Sequence, residues 1–88
     1  MGEARKIVGW NVRRIRVRRG LTMEELGGAA EVGPAHVARI ERGAVNSSVD
    51  VLERLAGALG VGLVELFRPL ARGARPPPPL KAGRRPKS

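Results

Sequence analysis

The sequence contains no cysteine and no tyrosine, and its 88 residues include one histidine, one tryptophan and one phenylalanine. Without thiols there are no disulfides, no thiolate metal sites and no cysteine nucleophile. The fold must be held by packing, and a reducing, cytoplasmic setting fits. One histidine makes no pair, no other metal-ligand spacing occurs, and no glycine-rich phosphate loop follows a strand. Neither a cofactor nor a metal is expected, and the chain does not read as an enzyme. Long apolar runs are missing as well. None approaches the roughly 20 residues of a membrane span. Nor is the segment Met1 to Arg5 followed by a signal-type apolar stretch. The expectation is a soluble protein without a membrane partner.

What the chain has in excess is positive charge. Lys and Arg number 17 against 8 Asp and Glu, a formal net charge of +9. A polyanion is the first partner to consider, nucleic acid ahead of an anionic membrane. The charge is unevenly spread: residues 1–67 carry +2 and residues 68–88 carry +7, with no acid in the latter and with Pro76 to Pro79 in a row. Consecutive prolines neither donate backbone hydrogen bonds nor continue a helix, and Arg/Gly/Pro composition buries little apolar area. The expectation is one domain at 1–67 and a disordered basic tail at 68–88, which either engages a polyanion or only aids solubility.

Within the domain the apolar spacing is helical throughout. Val8, Val12 and Ile15 mark one stripe of a helix from Lys6 to Arg19, which Gly20 ends. Thr22 with Glu25 three residues on forms a capping box, Leu21 and Leu26 can staple, and a second helix follows with Leu26, Ala29 and Ala30 inward. Gly33-Pro34 restarts the chain for a third helix reaching about Arg42, with Val37 and Ile40 inward and Gly43 after it. A fourth, starting at Ser47 or Ser48, buries Leu52, Leu55, Ala56 and Leu59 until Gly60. A short fifth spans Leu63 to Phe67. No segment alternates as a strand, so the fold class is all-α, a compact five-helix bundle.

The second and third helices, joined by a short turn, have the spacing of a helix-turn-helix at about residues 23–42. The blocks Asn11 to Arg16, Arg19 to Leu26, Val37 to Gly43 and Leu52 to Leu66, in that order and spacing, resemble the Cro and phage-repressor type of helix-turn-helix domain, the XRE family. The resemblance implies a third helix lying in the major groove of double-stranded DNA and a transcriptional regulator acting in the cytoplasm, associated with the nucleoid. It implies base contacts at Pro34, Ala35 and Arg39, with His36 at the margin. It implies phosphate contacts at Met23 through its backbone N–H, at Arg42, at Asn46 and at Arg16, and an ion pair of Arg16 with Glu41. Homodimers on paired half-sites are common in such domains.

This chain departs from the family at informative places. Met23 stands where glutamine is usual, which removes a side-chain hydrogen bond to phosphate. Glu31 stands where the turn carries glycine, and a left-handed residue there costs on the order of 1 kcal/mol. Gly27 and Gly28 each cost roughly 1 kcal/mol against alanine, although a bare Gly27 permits close helix contact. Pro34 and Ala35 offer no side-chain hydrogen bond to a base, so direct readout falls on Arg39 and specificity should be modest. Two other classes compete: a protein-interaction module binding another regulator or a toxin, and a non-specific nucleic-acid binder acting through the tail.

Overall fold

Local chemistry sets where each helix begins and ends. A computed structural model describes residues 3–69. It contains α1 (Glu3–Arg18), α2 (Met23–Ala30), α3 (Pro34–Glu41), α4 (Val49–Leu59) and a 3-10 turn at Leu63–Phe67. The Thr22 hydroxyl accepts from the Glu25 N–H at 3.0 Å, and the Glu25 carboxylate accepts from the Thr22 N–H at 2.9 Å. This reciprocal cap satisfies donors that would otherwise face solvent at the start of α2. Ser48, not Ser47, caps α4 by accepting from Val51. Pro34 takes the first position of α3, where its missing N–H costs nothing.

The core lies where α1, α3, α4 and the 3-10 turn meet, with α2 closing it from the side of α3 and α4. Val12, Leu26, Val37, Leu55, Leu59 and Leu66 are completely enclosed. Each such side chain contributes about 1.5–3 kcal/mol through its removal from water. Two glycines let backbones touch. A Cβ on Gly9 would collide with the Ile40 carbonyl oxygen and lie 2.8 Å from that of Glu41, and a Cβ on Gly27 would collide with the Val32 carbonyl oxygen. Gly9 therefore seats α1 directly on the C-terminal end of α3, while Gly27 seats α2 on the turn.

Three sequence expectations need correction. There are four α-helices among the described residues, not five, because Leu63–Phe67 winds as 3-10 with Glu65 N–H donating to Gly62 C=O at 3.0 Å. Arg68 follows in extended backbone, as a residue before proline prefers, which leaves too few residues for α-helix turns. The buried face of α2 is Leu26, Gly27 and Ala30, and Ala29 is exposed. Helical spacing puts Ala29 about 110° from the centre of that face. Finally, α1 starts at Glu3, three residues before Lys6. The expected tail lies outside the described residues from Leu70 onward. All described elements are helical, and no described helix is long and apolar enough to cross a membrane.

Candidate nucleic-acid interface

The eight residues of α3 present a buried face and an exposed face. Val37 and Ile40 are buried, while Pro34, Ala35 and Arg39 are exposed, as is Arg42 just past the helix end. Successive residues turn by about 100°, so Ala35, Arg39 and Arg42 share one outward stripe. The stripe is apolar at its N-terminal end and cationic further along. His36 sits on the flank, half-buried, with Nε2 3.2 Å from the Ser47 hydroxyl. Asn46, beside Ser47, is exposed.

The turn that aims α3 is short and strained at one place. Glu31 ends α2 at φ 59, ψ 44, in the left-handed region that favours glycine. The strain is offset locally. Val32 N–H donates to Gly27 C=O at 2.8 Å, and Arg54 reaches from α4 to donate from Nε to Ala30 C=O at 3.0 Å. That arginine supplies a donor to a helix-end carbonyl where no intrahelical one exists. At the other end of α2, the first-turn amides of Met23 and Glu24 lack intrahelical acceptors and point outward along the helix axis. The Met23 side chain packs against the core.

The C-terminal end of α3 is anchored by charge inside the protein. Arg16 Nε donates to Glu41 Oε2 at 2.6 Å, its NH2 donates to Oε1 at 3.0 Å, and its NH1 donates to Leu21 C=O at 2.8 Å. The two side chains are 4% and 3% exposed. Burial removes Arg16 from the phosphate-contacting set: its fork is held inside by Glu41 and Leu21 and has no path to a backbone outside. The arrangement does bring Arg16 and Glu41 together across α1 and α3, and a bidentate pair of this kind fixes angle as well as distance.

Other basic residues are distributed by local partners. Arg14 donates to Asn11 Oδ1 at 3.1 Å, and the Arg19 guanidinium lies over Gly60 at the C-terminal end of α4, where a positive charge is favoured. Lys6 is exposed and runs beside Gly43, next to Arg42, a neighbour that sequence spacing alone did not suggest. Asn11 is a further working residue that the sequence expectations do not include. Buried, it donates from Nδ2 to Leu66 C=O at 3.0 Å and Arg68 C=O at 2.9 Å, and so fixes the chain's exit from the core. Its signal was present, a polar residue on the Val8, Val12 and Ile15 stripe. Near that exit Arg68 donates to Glu65 at 2.6 Å, and this hydrogen bond holds the Glu65 carboxyl below its ordinary pKa. The pair is solvent-exposed and adds little stability.

A family model described as helix-turn-helix matches residues 12–66. An uncharacterised HTH-type transcriptional regulator of Sinorhizobium fredii, y4dJ, is 42% identical over 67 residues, covering 76% of this chain and 87% of that protein. The crystal structure of the hypothetical transcription factor NHTF from Neisseria superposes with a TM-score of 0.72 at 32% identity, covering 75% of this chain and 76% of that one. The restriction-modification controller protein C.AhdI from Aeromonas hydrophila gives a TM-score of 0.70 at 32% identity, covering 72% of this chain and 96% of its own.

Proposed function

The chain belongs to the XRE-type helix-turn-helix family of DNA-binding transcriptional regulators, and from that premise we propose that it reads the major groove with Ala35 and Arg39 on the outward stripe of α3, as a homodimer on paired half-sites in the cytoplasm. The observation that carries this reading is the exposed Arg39 on a helix whose opposite face is closed by Val37 and Ile40. Its planar fork can pair bidentately with guanine O6 and N7, and Ala35 one turn before it can meet a thymine methyl. Pro34 stands at the same end but brings no donor. Around this stripe, Arg42 and Lys6, the Asn46 loop and the Met23 amide supply groups for flanking phosphates, which position the helix without reading sequence.

Dimerisation is supported by apolar surface near the 3-10 turn, where Val64 and Phe67 are exposed. Two copies would double a weak half-site contact. The test of the reading begins with selection of bound duplexes from a random pool at physiological salt, followed by Arg39→Ala on the selected site. The expected result is loss of about 1–3 kcal/mol of discrimination at one base pair of each half-site, with much less change on random duplex. Equal losses on both duplexes would assign Arg39 to a phosphate. Failure to enrich any sequence, combined with salt-insensitive binding, would favour a protein-interaction module instead.

A further inference from the structure

The His36–Ser47 hydrogen bond crosses from α3 to the loop before α4, and neither side chain caps a helix or belongs to the buried core. Ser48, not Ser47, caps α4, and the inward face of α3 is complete with Val37 and Ile40. What the bond does is hold the imidazole plane on the flank of α3, about 100° round the helix from Ala35. The ring's other nitrogen, Nδ1, meets no acceptor or donor among the described residues. When the Ser47 hydroxyl donates to Nε2, the ring proton resides on Nδ1, which is then a fixed donor. The loop that carries Ser47 also carries exposed Asn46.

We infer that Ser47 is a positioning residue for DNA binding: it orients His36 so that Nδ1–H donates to a backbone phosphate at the edge of the groove, and it locks the Asn46 loop to the reading helix. The inference rests on the DNA-binding reading above and adds to it a specific phosphate contact and its support. The chemistry is consistent with the site's place on the flank. A phosphate oxygen accepts from any well-aimed donor, and a hydrogen bond to a charged acceptor is stronger than one between neutral groups. A free histidine would lose rotamer freedom on binding, whereas one already held by Ser47 does not.

The experiment uses the full chain and a duplex taken from the selection, with each phosphate in turn replaced by a neutral methylphosphonate. Wild type, His36→Ala, Ser47→Ala, Ser47→Thr and the His36→Ala/Ser47→Ala double variant are titrated, and thermal melts monitor folding. Wild type is expected to lose affinity when one phosphate beside the α3 N-terminal half is neutralised, and His36→Ala and Ser47→Ala are expected to be blind to that same substitution. Each single variant should bind the unmodified duplex about tenfold more weakly. The double variant should bind no more weakly than His36→Ala, and Ser47→Thr should restore the contact. Ser47→Ala retaining the wild-type phosphate sensitivity, or adding its loss in full to that of His36→Ala, overturns the proposal while leaving the DNA-binding reading intact. Wild type that shows neither sequence preference nor any sensitive phosphate overturns both.

Discussion

Replacing Glu41 by alanine strands the Arg16 guanidinium in a site where it is 4% exposed. Of its three protein acceptors, the two carboxylate oxygens at 2.6 and 3.0 Å disappear and only Leu21 C=O at 2.8 Å remains. Breaking a buried pair from one side costs about 3–5 kcal/mol, mostly the burden of an uncompensated charge. A domain of this size holds only about 3–10 kcal/mol in total, by the usual 0.05–0.15 per residue. Glu41→Ala should therefore sit at the edge of unfolding, and with a urea dependence of about 1 kcal/mol per M its midpoint should fall by roughly 3 M or be lost. Arg16→Met/Glu41→Leu removes both charges and keeps apolar volume. It should be at least about 2 kcal/mol more stable than Glu41→Ala, since well-packed apolar replacements of buried pairs are often neutral.

Urea unfolding followed by circular dichroism measures all of these, and Arg16→Met and Glu41→Leu complete a double-mutant cycle with the double variant. Small losses below about 1 kcal/mol for each single variant, adding without interaction, would refute the reasoning, because they describe two charges already solvated. The same double variant examines the removal of Arg16 from the DNA contacts. If Arg16 only braces α3, the restored protein keeps its slope of log affinity against log salt. A slope reduced by about 0.9 would return Arg16 to a phosphate.

Glu31→Gly should relieve the left-handed backbone at the end of α2, and after allowing for the greater freedom of glycine in the unfolded chain it should raise stability by about 0.5–1 kcal/mol. A thermal melt would show this as a rise of several degrees, and no rise would mean that Glu31 makes a compensating interaction. Asn11→Leu should leave the carbonyls of Leu66 and Arg68 without their donor and cost about 1–3 kcal/mol in urea unfolding, with a neutral outcome placing those carbonyls in water. Truncation after Arg68 removes six of the seven positive charges of residues 68–88. If several engage phosphates, the salt slope on cognate and random duplex alike should flatten by a few units, with cooperative melting preserved. Identical slopes would leave the tail a solubility role.

Helix positions were legible in the sequence because their signals are local. Thr22 and Glu25 lie three residues apart, Pro34 must occupy a first turn, and the inward sets Val37 and Ile40 or Leu52, Leu55, Ala56 and Leu59 follow from helical period alone. The outward stripe of α3 is the complement of that inward set, so Arg39 and Ala35 could be named without coordinates. Legibility stopped where the decisive neighbour is distant in the chain. Arg16 and Glu41 are 25 residues apart, and only the close seating of α1 on α3 through Gly9 buries their charges and takes Arg16 away from solvent. Arg54 finds Ala30, Asn11 finds Leu66 and Arg68, and Ser47 finds His36 by the same route. The expectation of a fifth helix at Leu63–Phe67 failed for a related reason, since five apolar-rich residues suit either helix type and the chain winds there as 3-10. Local order along the chain thus came from the sequence by itself, because caps and periods act over three or four residues. Which polar groups are held inside and which remain free to meet DNA was decided by tertiary packing, because desolvation and hydrogen-bond geometry depend on what the other helices bring alongside.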